Sequence, residues 1–323
     1  MPTISIALCT FNGSKYLQEQ LTSYMHQTRP PDELIICDDR SMDNTVQIIE
    51  EFSRVAPFAL KLIVNDHTFG PTKNFEKAIG LCTGDLIALS DQDDIWHPQK
   101  LERCEEFLNE RIDIAAVFSN AEIVNESLNF LGYNMWQKSA FTPIEQKRMI
   151  YGDAVSVLLK HYVVTGATLV FRSDCKSAIL PIPPFWLHDA WIALLLASIS
   201  SIDFVPESLS KYRQHLTNHL GGVRKPLIQQ ILDGHRVDRN DYYRLELLRY
   251  ETLHHRLLDL AGTFDVSKRI SLLEDKIDHL RLRKNMPRNR FMRLPFIADE
   301  LRSSRYAKYA RNWGSVAMDL FLR

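Results

Sequence analysis

ISIALCTFNGS, residues 4–14, decides the fold. Its first six residues form an unbroken β-favouring apolar run, which is how a strand buried on both faces reads. Asn12-Gly13-Ser14 then turns the chain, and Leu17, Leu21 and Tyr24 follow at helical spacing. The same grammar repeats downstream. Leu34 to Cys37 is a second buried strand ending in Asp38-Asp39, with Val46, Ile49 and Phe52 marking the next helix. Residues 59–64 (ALKLIV) read as a third strand, and Phe75, Ile79 and Cys82 as a helix. Leu86 to Leu89 is a further strand, ending in Ser90-Asp91-Gln92-Asp93-Asp94. Pro98 opens a helix carrying Leu101, Cys104 and Leu108, and 114–118 is again strand-like. Strand and helix in alternation imply an α/β fold with a parallel sheet. In such sheets ligands bind outside the carboxyl ends of the strands. The polar clusters Thr10-Phe11-Asn12, Asp38-Asp39 and Asp91 to Asp94 all fall at those ends.

From about residue 133 the alternation breaks. Residues 134–161 read as a helical, loop-rich insertion, 165–171 (TGATLVF) as a strand, 189–199 as a buried helix and 202–212 as a strand leading into Tyr212-Arg213-Gln214-His215. After Gly221-Gly222 the pattern becomes polar helix with periodic leucines. The expected domains are therefore 1–222, the α/β part, and 223–323, a helical C-terminal region.

Composition excludes several classes. At 323 residues, 45% hydrophobic and 24% charged, the chain is neither disordered nor a disulfide framework. Five cysteines without a C-x-x-C pair signal neither a zinc ribbon nor a redox motif, and fit a reducing compartment. No signal-peptide pattern opens the sequence, and its best apolar stretch, Trp191 to Ile199, is short of the ~20 residues a spanning helix needs. The expected location is cytoplasmic. Net charge is −1, unevenly placed: residues 281–323 hold 11 basic and 3 acidic residues. Basic residues there interleave with Phe291, Met292, Leu294, Phe296, Tyr306, Tyr309 and Trp313, which suits peripheral attachment to an anionic membrane surface, here the cytoplasmic face of the inner membrane. A solvated helical face or an oligomer contact is the alternative. Nucleic acid is not expected, because the body of the chain is acidic.

Asp91, Asp93 and Asp94 crowd one short loop. Two unit charges ~4 Å apart repel by about 4 kcal/mol at an effective dielectric near 20. A divalent cation relieves that repulsion, and hard oxygen ligands favour Mg²⁺ or Mn²⁺, which commonly also hold substrate phosphates. A solvated turn at a helix start is the alternative.

ISIALCTFNGSKYLQEQL, LIICDDRSMDNT and GPTKNFEKAIGLCTGDLIALSDQDDIW, taken together in order, resemble a bacterial family 2 glycosyltransferase of the GT-A type over roughly residues 2–220. SDQDDIW is most similar to the subset of rhamnosyltransferases that build surface polysaccharides. The resemblance implies that 1–222 is the catalytic domain, with a mixed, Rossmann-like sheet flanked by helices, and a nucleotide pocket formed by Cys9, Thr10, Phe11 and Asn12. Cys9 stands where the family commonly has proline, so only its backbone contact carries over. The resemblance also implies that Asp39 accepts the N3–H of uracil or thymine, that Lys73 and Asn74 address the diphosphate or sugar, and that Asp91 meets ribose or sugar hydroxyls. Asp93 would ligate the metal, with Asp94 the third acid of the turn. Gly166 would let backbone approach the donor sugar. Asp189, after His188, would be the general base that gives inversion. His215 would complete the metal site and Arg213 would meet the diphosphate. Plainer roles stand beside these: core packing for Phe11, loop capping for Asp39, a solvated Lys73 and helix capping for Asp189.

The implied activity is metal-dependent inverting transfer of a sugar from a UDP- or dTDP-sugar to a hydroxyl of a growing surface polysaccharide or lipid-linked glycan. A sugar nucleotidyltransferase is the runner-up, but no Gly-rich triphosphate loop is seen. A non-catalytic nucleotide-sugar-binding protein on the same scaffold is the third reading.

Overall fold

The computed structural model describes residues 1–215, 239–311 and 313–321. The four apolar runs become β1 (Ile4–Thr10), β2 (Glu33–Asp38), β3 (Ala59–Val64) and β4 (Leu86–Asp91), parallel and ordered β3-β2-β1-β4. Cys9 stands opposite both Cys37 and Asp91, so the turns after β1, β2 and β4 open at one height. The intervening segments form α1 (Leu17–Met25), α2 (Thr45–Ser53) and α3 (Pro71–Leu81), and α4 (Lys100–Glu110) follows the acidic turn. Leu17, Leu21, Tyr24, Leu101, Cys104 and Leu108 pack into the core beneath one face of the sheet.

Five more strands complete the sheet: β5 (Ile95–Trp96), β6 (Ala116–Val124), β7 (Phe130–Asn134), β8 (Leu169–Arg172) and β9 (Ile202–Arg213). β8 runs antiparallel to β4 and β6, so the sheet is mixed, in the order β3-β2-β1-β4-β8-β6-β9-β5 with β7 on β6. β5 pairs antiparallel with β9, Ile95 opposite Lys211. That short pairing delivers residues 213–215, at the end of β9, to the acidic turn just before β5. Between β7 and β8 lie α5 (Met135–Ser139), α6 (Pro143–Ile150) and α7 (Ala154–Lys160); α5 and α6 each start at a reciprocal capping box, Asn134 with Gln137 and Thr142 with Glu145. α8 (Lys176–Ile179) and α9 (His188–Ile199) follow. Residues 190–199 of α9 are all buried, as its unbroken apolar sequence requires.

Two expectations are corrected. The strand expected at 165–171 is a 3₁₀ turn over Gly166–Thr168 and a strand only from Leu169. The strand expected at 114–118 runs on to Val124.

The chain divides into two compact units. The first holds Met1–Gly152 and the described residues from Val163 to His215. The second holds Asp153–Tyr162, including α7, with the described residues from 239 on. The boundary expected at 222/223 lies outside the described residues. The second unit comprises α7, α10 (Arg239–Leu260), α11 (Ser267–Lys284), α12 (Leu294–Arg302), α13 (Arg305–Tyr309) and α14 (Trp313–Phe321). Its interior is partly polar. Asp319, 1% exposed, takes hydrogen bonds from Arg283 Nε (2.6 Å), Tyr243 Oη (2.8 Å) and Tyr306 Oη (2.6 Å). Buried Lys276 donates to the Tyr309 carbonyl at 2.6 Å and lies 5.0 Å from the Tyr250 ring centre. No described helix is long and apolar enough to cross a membrane.

Candidate functional site

The first wall of the site is the turn after β1. Thr10 is buried and donates to Asp38 Oδ2 at 2.7 Å. Asn12 takes a left-handed backbone (φ 48°), and its Oδ1 accepts from Met42 N at 2.8 Å, tying this turn to the loop after β2. Gln92 ties it to the acidic turn: Phe11 N donates to Gln92 Oε1 at 2.8 Å, and Gln92 Nε2 donates to the Phe11 carbonyl at 3.0 Å. The Phe11 ring stays exposed at the lip. Cys9 is partly exposed, and its thiol is held well above the usual range by desolvation and by neighbouring Cys37, Asp91 and Asp39.

Asp39 is 3% exposed and clamps the segment ahead of α3. Its carboxylate accepts from Phe69 N (2.8 Å), Gly70 N (2.8 Å) and Asn65 Nδ2 (2.9 Å). Gly70 has φ 80°, a left-handed backbone that glycine adopts without strain, and Pro71 then starts α3. Asn74, 2% exposed, is engaged at both ends, donating to the Cys37 carbonyl at 2.7 Å and accepting from Asn65 Nδ2 at 2.9 Å. Lys73 donates to Glu76 (2.7 Å) and to the Ile182 carbonyl (2.8 Å). The sequence expectation of diphosphate contacts from Lys73 and Asn74 therefore meets side chains committed to the scaffold.

The acidic turn is the electrostatic centre. Asp91 has its carboxyl pushed up to about 7, by withdrawal from water first and by Asp93 and Asp189 after it. Asp94 is raised well above the usual carboxylate range, again by burial first and then by Asp93 and Asp91. Asp94 Oδ1 accepts from Arg213 N at 3.2 Å, whereas Oδ2 is buried with no hydrogen-bond partner among the described residues. Asp93 Oδ2 lies 2.7 Å from His215 Nε2, and the His215 ring packs 5.0 Å from that of Tyr16.

Arg213 closes β9 behind the acidic turn. It is 1% exposed, and its guanidinium donates to the Asp93 carbonyl (2.9 Å), the Glu126 carbonyl (2.5 Å) and the Glu19 carboxylate, while lying over the Tyr16 ring. It holds the acidic turn from behind. A cavity of about 740 Å³ beside it is lined by Glu19, His26, Trp96, His97, Glu122 and Lys211, and shares no residue with the acidic turn.

The opposite wall is the start of α9. Asp189 accepts from Gly166 N at 3.0 Å through Oδ2 and from Ala190 N at 2.8 Å through Oδ1. A Cβ at Gly166 would stand 2.8 Å from His188 Nε2, so this approach demands glycine. His188 stacks on Phe75 with ring centres 3.9 Å apart, and its Nε2 is buried without a partner among the described residues. Burial holds its pKa down against the pull of Asp189. Sequence reading treats His188 only as a neighbour of Asp189; nothing in its local pattern distinguishes a satisfied histidine from this one.

Among the described residues no three His, Cys, Asp or Glu side chains gather into a ready-made metal cluster. The donor set on offer is the pair Asp93 and His215. A pair fits a cation that takes its remaining ligands from substrate phosphate and water, as Mg²⁺ commonly does.

The family model described as Glycosyl transferase family 2 matches residues 5–175, just over half of the chain. The chain belongs to this family. This family 2 glycosyltransferase is 30% identical over 255 residues to the dTDP-rhamnosyl transferase RfbG of Shigella flexneri, covering 75% of this chain and 82% of that one. Its fold matches S. aureus TarS 1-349, solved with UDP-GlcNAc, at TM-score 0.59 and 18% identity, over 91% of this chain and 75% of that one. It also matches the mannosyltransferase PcManGT of Pyrobaculum calidifontis, solved with GDP-Man and Mn²⁺, at TM-score 0.51 and 14% identity, over 99% of this chain and 85% of that one. The transferase therefore has the GT-A fold with a C-terminal helical extension, and moves a sugar from a nucleotide-sugar donor.

Proposed function

We propose that the transferase is a metal-dependent, inverting enzyme that passes a sugar, rhamnose being the favoured case, from a UDP- or dTDP-sugar to a hydroxyl of a surface polysaccharide or lipid-linked glycan. The observation that carries this is the Asp93–His215 contact in the acidic turn, at 2.7 Å, with the carboxylate of Asp189 near enough to add to the raised pKa of Asp91. The likeness to RfbG supports a dTDP-rhamnose donor, and the Mn²⁺ in the PcManGT structure supports a cation.

Asp93 and His215 would hold the Mn²⁺ or Mg²⁺, which supplies positive charge beside the diphosphate. Phe11 presents an apolar face to the base, Cys9, Thr10 and Asn12 shape that pocket, and Asp39 keeps a lone pair for an imide N–H beyond its three internal donors. Asp91 faces the ribose or sugar hydroxyls. Gly166 admits the sugar to the neighbourhood of Asp189. Each oxygen of Asp189 accepts one backbone N–H, which fixes its direction and leaves lone pairs for the acceptor. As the acceptor oxygen bonds to the anomeric carbon, its proton passes to Asp189. The bond from that carbon to the diphosphate oxygen breaks, and nucleoside diphosphate departs with the bonding pair. One displacement inverts the centre. The enzyme would work peripherally on the cytoplasmic face of the inner membrane.

The test is release of UDP or dTDP from a panel of nucleotide sugars with and without Mn²⁺. Metal-dependent release from one donor supports the reading, and no release from any donor with either cation removes it.

A further inference from the structure

The C-terminal basic stretch is sorted by burial into an interior set and a surface set. Of its 11 basic residues, Arg283 and Arg293 point inward: Arg283 to Asp319, Arg293 to the Pro287 and Asp319 carbonyls at 2.6 Å each. Of its 3 acids, Glu300 and Asp319 are buried, Glu300 against His279 and Arg305. The surface set is then lopsided. Arg281, Arg288, Arg290, Arg302, Lys308 and Arg311 are exposed, and Asp299 is the one exposed acid among the described residues of 281–321; Arg281 is paired with Glu251 and Asp278, and Arg302 with Asp299. Folding thus removes two of the three negative charges of this stretch from the surface.

Within that surface, residues 288–296 (RNRFMRLPF) join α11 to α12 through a 3₁₀ turn. Phe291 is 81% exposed, Met292 60%, Leu294 49% and Phe296 41%. A phenylalanine at 81% packs against almost nothing, so it stands at a projecting tip and not in a groove. Arg293, in the middle of the run, is turned inward and anchors the turn from below, which leaves the apolar side chains as the outermost part. Four large apolar groups in six residues, bracketed by surface arginines and nearly clear of acids, match the layered chemistry of an anionic bilayer: apolar groups below the headgroups, cations among them.

We propose that the 288–296 turn is the membrane-docking element of this chain, inserting Phe291 and Met292 among the acyl chains of an anionic leaflet while the neighbouring basic residues contact lipid phosphates. This rests on the peripheral placement proposed above and not on the transfer chemistry. The occupant is a lipid surface, because a projecting tip without a flanking wall offers a folded protein partner little area, whereas a bilayer closes around it.

The test is co-sedimentation of the full chain with vesicles of phosphatidylcholine alone, and of phosphatidylcholine mixed with phosphatidylglycerol. The wild type is expected to sediment with the mixed vesicles. The pair F291A/M292A is expected to weaken that partition by about tenfold or more. Arg288→Glu is expected to weaken it at low salt, with the difference shrinking as salt rises. All three side chains are exposed, so thermal unfolding should match the wild type. Donor-sugar hydrolysis in solution, read on the same samples, should also be unchanged, so failure of the transfer chemistry and failure of docking remain separable. Absence of vesicle binding, equal binding to neutral and anionic vesicles, or undiminished binding by F291A/M292A overturns the proposal.

Discussion

His215 Nε2 lies 2.7 Å from Asp93 Oδ2, across 122 residues of sequence. The contact exists because two-residue β5 pairs with the end of β9, and because Arg213 fixes the Asp93 carbonyl from behind. If the pair holds the cation, each member matters in its own way. Asp93→Asn should lower metal-dependent nucleotide release by about 10²-fold or more, since cations at a leaving diphosphate stabilise the transition state directly. His215→Ala should raise the Mn²⁺ concentration for half-maximal activity by about 10–100-fold with a smaller loss at saturation. Metal titrations of donor hydrolysis read both.

Asp189→Asn keeps an acceptor for one of the Gly166 and Ala190 N–H groups, turns its amide NH2 towards the other, and loses the base. Transfer to acceptor should fall by about 10²–10⁴-fold. Calorimetric affinity for the nucleotide sugar should stay near that of the wild type.

His188 offers a sharper distinction. His188→Phe preserves the stack on Phe75 and deletes the partnerless buried nitrogen. If His188 only fills space, the variant should be as stable as the wild type or more so, with transfer intact, because an unsatisfied buried polar atom is costly. If Nε2 meets substrate, stability should hold while kcat/KM falls. Burial of this nitrogen against Gly166 gives the first outcome as the expected one, read by thermal unfolding and transfer kinetics together.

In the C-terminal unit, Asp319→Asn leaves Arg283 buried without its counter-ion. The expected cost is about 3–5 kcal/mol, the usual penalty for breaking a buried ion pair on one side. Denaturant unfolding of the full chain measures it. Loss of this unit's cooperativity should precede loss of nucleotide binding.

Lys276 gives a pH signature. Burial pushes its pKa down to about 7, whereas an unfolded lysine titrates near 10.4. Between those values the unfolded chain binds more protons than the folded one, so stability rises with pH from about 7 towards 10 on this account. Lys276→Met should flatten that rise and be relatively more stable below pH 7. Unfolding free energies across the range check the sign.

The parallel half of the sheet is legible because β1, β2 and β4 are buried on both faces and announce themselves as apolar runs. β5 and β7 are not legible: β5 is two residues long, and β7 is mostly exposed, with Phe130 and Leu131 facing solvent. β6 reads as ending at Phe118 because Ser119, Asn120 and Glu122 interrupt its apolar run, although pairing with β9 carries it on. The site shows the same division. Residue types at strand ends point to Asp39, Asp91 and Asp93, and the family resemblance to Asp189 at a helix start, but types alone do not say which partners a side chain has already taken. Asn74 and Arg213 look like ligand residues in the sequence, and the structure ties both to backbone carbonyls. Arg283 and Arg293 look like surface charge, yet both turn inward to Asp319, far along the chain, Arg283 to its carboxylate and Arg293 to its carbonyl.

The most direct measurement is anomalous diffraction from crystals soaked with Mn²⁺ and UDP or dTDP. The account expects a manganese peak between Asp93 and His215, with the diphosphate against it and the base beside Phe11 and Asp39. Ordered nucleotide with no metal at that pair, or neither nucleotide nor metal beside the acidic turn, contradicts it.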